Sequence, residues 1–280
     1  MFSAEYYYLV AGLKEWSLDS DTKGFDVAEI RGEILDQISK KDASAVRLLY
    51  AYYDCENIIA VRASQQRFNP LGNLSREQVD ALFAERCYDL LPKHMGEIVR
   101  LYAEADDEDR DEEVVLDEKF ERALFEAYYR DLAESKCNFL VGWGAFDRNL
   151  RNISAALAAR EAGRVVADVT VGGGEIVEQL RRSSATDFGL RGELPYIDAV
   201  IAAVADETNI VEKERKIDAI RWAEAEDIAV FDFFNINYLL SYLVKVNIVA
   251  RWMLLSPEAG REMLARLIKE LDAKELVNKQ

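Results

Sequence analysis

The sequence predicts an all-α protein: a multi-helix bundle of three similar helical units with pseudo-threefold character and at most short β segments. Three observations carry this. Proline occurs only at positions 70, 92, 195 and 257, so 93–194 and 196–256 lack the strongest helix breaker. Start and stop signals for helices are written locally. The pattern Asn-Ile-x-Ala also recurs at Asn57, Asn152 and Asn247, each copy 95 residues from the next and each inside a long apolar-rich run.

Helices are predicted at about 26–41, 43–64, 75–90, 92–105, 116–136, 137–162, 173–184, 195–206, 208–227, 231–255 and 257–277. Ser75-Arg76-Glu77-Gln78 has the spacing of a capping box, and Pro92 and Pro257 suit a first helical turn. Gly163 is a natural stop after Ala158–Ala162, because glycine adopts the left-handed conformation cheaply. The β signal is confined to Tyr6–Ala11 and Arg164–Val171, each read as a short strand or an extended connector. The chain is read as one elongated helical protein over 1–280, with pseudo-repeats at about 1–95, 96–190 and 191–280.

Fifty-two acidic against 35 basic side chains give a formal charge of −17, which repels phosphate backbones and argues against nucleic acid as a partner. Half of the residues are apolar and 31% are charged, as in ordinary globular proteins. The most apolar stretch, Ile228–Leu255, is interrupted by Asp232, Asn235, Asn237, Lys245, Asn247 and Arg251. These are expensive in hydrocarbon, so the stretch reads as a core helix rather than a transmembrane segment. Cys55, Cys87 and Cys137 show no zinc-ligand spacing, and their sparse, odd number suits a reducing compartment. The opening Met1-Phe2-Ser3-Ala4-Glu5-Tyr6 lacks the basic start and apolar run of a signal peptide.

Chemistry-bearing motifs are sparse. His94 is the only histidine, which removes paired-histidine metal sites; it is expected as a partly exposed residue at a helix start. Gly172-Gly173-Gly174 can cradle an anion at a helix start, but Glu175 puts negative charge where a phosphate would sit, so a flexible turn is expected. The acidic run from Asp106 to Glu113 lacks the glycine and ordered ligand spacing of a calcium loop and reads as a solvated loop. The tyrosine and phenylalanine clusters at 6–8, 50–53, 128–129 and 231–234 are expected mostly in the core, with some at an interface. Asparagine lowers helix propensity, so Asn57, Asn152 and Asn247 are each expected to make a buried hydrogen bond to a neighbouring helix. No catalytic, cofactor-binding or metal-binding residue is nominated, and no cofactor is implied.

Asp54-Cys55-Glu56-Asn57-Ile58 with Arg62, and the run Tyr238–Ile248, resemble the helices of the central-stalk connector family of V-type and archaeal-type rotary ATPases. In that family an acidic residue precedes Asn-Ile or Asn-Leu by three positions and a basic residue follows. Here Asn149 and Val244 stand where the acidic residue would be in the second and third copies. The opening Tyr6-Tyr7-Tyr8-Leu9-Val10-Ala11-Gly12-Leu13 also resembles a small bacterial family of unnamed function encoded among V-type ATPase genes. The resemblance implies three helical units arranged as a funnel, and a non-catalytic role. It implies that the rotor shaft subunits and the membrane proteolipid ring are its partners, and that it lies peripherally on the cytoplasmic face of the membrane. Two rivals stand beside this reading: a stand-alone helical scaffold, and an all-α metal-dependent enzyme using Asp106, Asp107 and Asp111.

Overall fold

The computed structural model describes residues 5–17, 24–105, 113–205 and 209–254. Among them are twelve α-helices, one 3-10 turn at Tyr88–Leu90 and no strand, so the fold is all-α. In chain order the helices are α1 (Tyr7–Gly12), α2 (Val27–Gln37), α3 (Lys40–Arg62), α4 (Arg76–Ala84), α5 (Lys93–Ala105) and α6 (Glu113–Ala133). They continue with α7 (Asn138–Glu161), α8 (Val166–Val169), α9 (Glu175–Arg182), α10 (Ile197–Val204), α11 (Ile210–Ile228) and α12 (Ile236–Leu254).

The boundaries follow local chemistry. Asp26 accepts from the backbone N–H groups of Ala28 and Glu29 at the start of α2, and Asn209 does the same for Val211 and Glu212 in α11. The capping box at Ser75 forms in full, with Gln78 reaching back to the Ser75 N–H. At the end of α7, Gly163 takes φ +65°, while Arg164 N–H bonds to Ala159 O and Gly163 N–H to Arg160 O. This is a Schellman stop, as the glycine predicted. Ser64 closes α3 with the same pair of bonds, in a left-handed conformation less comfortable for serine.

Several expectations need correction. Tyr7–Gly12 and Val166–Val169 are short helices rather than short strands or extended connectors, and no strand edge lies among the described residues to receive them. The predicted helix 75–90 is interrupted after Ala84, where Arg86 turns left-handed at φ +59°. The helix predicted from 231 begins at Ile236, since Asn235 Oδ1 accepts from the Asn237 N–H and so caps its start. The predicted helix 257–277 and most of the acidic run, residues 106–112, lie outside the described residues.

Helix α7 is the hub, packing against α6, α8, α9, α10, α11 and α12. Phe139, Leu140, Trp143, Phe146, Leu150 and Ile153 recur at three- and four-residue spacing and are all buried. Gly144 permits the approach of α6: a Cβ there would stand 2.9 Å from the Leu132 side chain. Helix α12 contributes Leu239, Leu240, Leu243 and Val246 to the same buried cluster. Among the described residues, no helix is long and apolar enough to cross a membrane.

His94 is buried, not partly exposed as its place at the start of α5 suggested. Its Nε2 lies 2.9 Å from Glu134, at the end of α6, and its Nδ1 3.3 Å from Glu97, while Asp131 accepts from the His94 and Met95 N–H groups. The bond to Glu134 raises the imidazole above its ordinary value of 6.5; burial opposes this and Glu97 reinforces it. His94 and then Arg130 hold the Glu134 carboxyl down to about 2. A raised histidine contributes stability that is complete below its unfolded value and is lost as pH rises through its folded value. Glu134 contributes above the ordinary glutamate value and loses its contribution as pH falls towards about 2. The His94–Glu134 pair should therefore contribute most between about pH 4.5 and 6.5. Because His94 is the only imidazole, one NMR resonance reads it: a midpoint above 6.5 is expected, falling on Glu134→Gln.

Candidate functional site

Four helices each turn one face towards a cavity of about 940 Å³. Helix α3 presents Leu49, Tyr52, Tyr53 and Glu56, α11 presents Glu214, Ile217, Asp218 and Arg221, and α12 presents Val244, Asn247, Ile248 and Arg251. Each set has the spacing i, i+3, i+4, i+7, which is one stripe of a helix. Helix α7 adds Trp143, Asp147, Arg151 and Ser154, and the loop 69–71 closes part of the rim.

The wall is held by a continuous charged network. Asp147 is buried and accepts from Tyr129 Oη and Arg151 Nε, both at 2.8 Å, with Arg221 Nε at 3.5 Å. Arg221 reaches on to Asp218 at 3.0 Å. Asp218 also accepts from Arg251 at 2.7 Å and from Trp252 Nε1 at 3.0 Å, and Arg251 continues to Glu214. Burial pushes the Asp147 carboxyl up, but Arg151 and Arg221 outweigh it and hold the group below the usual range. Burial likewise lowers Arg151, and Asp147 more than restores it. The Arg151 guanidinium lies over the Tyr52 ring at 4.3 Å, joining α3 to the network. These charges satisfy one another, so the arrangement fixes the mutual positions of α3, α7, α11 and α12.

The recurrent asparagines act on the loops after their helices. Asn57 accepts from the Asn69 N–H at 2.6 Å and donates to the Asn69 carbonyl at 2.9 Å. Asn152 does the same with Val171, accepting at 2.8 Å and donating at 2.9 Å. In both cases one side-chain amide pairs with the backbone N–H and C=O of one loop residue, not with a neighbouring helix as predicted. Asn247 does meet a neighbouring helix: its Oδ1 accepts from Tyr50 Oη of α3 at 2.9 Å. Asp54 completes the first clamp by accepting from the Asn73 and Leu74 N–H groups and from Asn73 Nδ2. Gly72 makes room for it, since a Cβ there would stand 2.7 Å from Asn57 and 2.8 Å from Asp54. The clamp thereby seats Asn69, Pro70 and Leu71 at the cavity rim.

The triglycine forms a turn into α9, with Gly172 and Gly174 at positive φ and Glu175 in the first helical turn. The described residues include no group of three His, Cys, Asp or Glu side chains placed to hold a metal. Asp106, Asp107 and Asp111 lie outside those residues. The charged network was not singled out from the sequence. Its signal was present in the acid–base pairs Asp147/Arg151 and Asp218/Arg221, which sit at helical spacing among buried apolar neighbours.

Residues 3–275 match the model of a family described as a protein of unknown function, DUF2764. The chain belongs to this family. No curated protein matches it at significant similarity. The match covers nearly the whole chain, so the cavity and both asparagine clamps fall within the family's extent. This is compatible with the expected resemblance to a bacterial family of unnamed function.

Proposed function

We propose that this member of the family is a non-catalytic connector resembling the central-stalk connector of V-type ATPases. In this reading it lies on the cytoplasmic face of the membrane and links the rotor shaft subunits to the proteolipid ring. It would thereby couple ATP hydrolysis or synthesis to ion transport. The observation that carries the reading is the cavity framed by four helices. An α-helix with its side chains is about 10–12 Å across and rises 5.4 Å per turn, so about 940 Å³ corresponds to roughly two turns of an inserted helix. A socket that transmits torque needs stiff walls, and the Asp147–Arg221–Asp218–Arg251 network cross-braces them. The matching clamps of Asn57 and Asn152 support related construction in the first two of three pseudo-repeats.

The test is affinity capture from the native cells in mild detergent, followed by mass spectrometry. Rotor shaft subunits and the proteolipid ring should co-purify. Ser154→Trp, which places an indole in the cavity, should reduce shaft recovery at least tenfold at unchanged expression. An intact ATPase carrying another connector, with none of its components on this protein, would overturn the proposal and leave the stand-alone scaffold in its place.

A further inference from the structure

One corner of the molecule exposes five aromatic rings. Helix α1 is anchored by Tyr6, whose hydroxyl donates to Asp42 and accepts from the Ser39 N–H, and by the buried Leu9. Its neighbours Tyr7 and Tyr8 remain exposed, Tyr8 at 96%. The connection between α11 and α12 lies against them: Tyr6 N–H bonds to Phe234 O at 2.5 Å, and the Tyr7 and Phe234 rings are 4.5 Å apart. That connection exposes Phe231 at 89% and Phe233 at 63%, with Phe234 partly covered.

With about 200 Å² for each aromatic side chain, the exposed parts of these five rings amount to roughly 700 Å². A stable pair of proteins buries about 800 Å² on each partner. The area thus approaches one side of a standard interface. Aromatic rings stack on their own kind, which a two-fold contact requires because the same patch must serve on both sides. We propose that this corner is a self-association surface, and that two copies of the chain pair through Tyr7, Tyr8, Phe231, Phe233 and Phe234. The inference rests on this corner alone and is independent of the connector reading.

Sedimentation equilibrium of the full chain over about 1–100 μM tests it. A monomer–dimer equilibrium is expected. It should tighten as salt is raised, because screening relieves repulsion between two chains of formal charge −17 while an apolar contact persists. Tyr8→Ser with Phe231→Ser should weaken the dimer at least tenfold; both side chains are exposed, so the melting temperature should hold. Ile210→Ser with Val211→Ser removes exposed apolar side chains from the far end of α11 and should leave the dimer unchanged. A protein that stays monomeric to 100 μM overturns the proposal, whether or not it then binds neutral phosphatidylcholine vesicles. A dimer indifferent to the corner substitutions does the same.

Discussion

Asp218→Ala is expected to cost about 3 kcal/mol of unfolding free energy, at the lower end of the range for breaking a buried ion pair. Asp218 is 1% exposed and accepts from Arg221, Arg251 and Trp252 Nε1. Removing its carboxylate leaves two guanidinium groups without their shared anion and an indole N–H without its acceptor. The lower end applies because Arg251 keeps partial access to water, where its charge is resolvated. Asp218→Asn retains an acceptor and the volume, so it should cost less than the alanine. Urea unfolding with an unchanged m-value reads the difference. Asp147 and Asp218 share Arg221, so a double-mutant cycle between them should show coupling rather than additivity. Additive losses would mean that the cavity wall is braced locally and not by one network.

Asp54→Ala is the second large effect, expected at about 3 kcal/mol, since hydrogen bonds to charged groups contribute more than neutral ones. The carboxylate is 2% exposed and accepts from two consecutive backbone N–H groups, those of Asn73 and Leu74. Burial raises this carboxyl above its ordinary value, and the N–H groups of Leu74 and Asn73 pull it part of the way back. An acid raised in the folded state lowers stability as pH rises from the ordinary aspartate value through its folded value, because burying the charge costs more than the N–H groups of Asn73 and Leu74 return. Asp54→Asn removes that pH dependence while keeping an acceptor for the loop. Hydrogen exchange at the Asn73 and Leu74 amides separates the two variants: the alanine should lose protection at both, and the asparagine should retain it at one or both.

Much of the fold was legible because helices announce themselves locally. Ser75 and Gln78 form the box their spacing predicts, and Gly163 stops α7 by the conformation that glycine adopts most cheaply. The strand expectations failed because six or eight residues of β-branched and aromatic side chains are ambiguous without a partner edge. Tyr6–Ala11 had none to join among the described residues, and Tyr7–Gly12 folded as a helix held by Tyr6 and Leu9. His94 was misjudged for a related reason. A helix start alone suggests exposure, but Glu134 lies 40 residues away in sequence and meets the imidazole only when α5 and α6 pack as a pair.

The asparagine repeat shows the division most clearly. The sequence by itself determined that Asn57, Asn152 and Asn247 were placed against helix propensity, hence for a buried hydrogen bond, and it determined the helical class and the stretches that form the core. Only the tertiary structure decided the partners: the Asn69 backbone, the Val171 backbone and the Tyr50 hydroxyl. It also decided that four helix faces meet around one cavity. Capping and periodicity are properties of neighbours within a few residues, whereas a side chain's hydrogen-bond partner and a cavity depend on which helices pack together. That is settled by burial of the whole apolar surface at once.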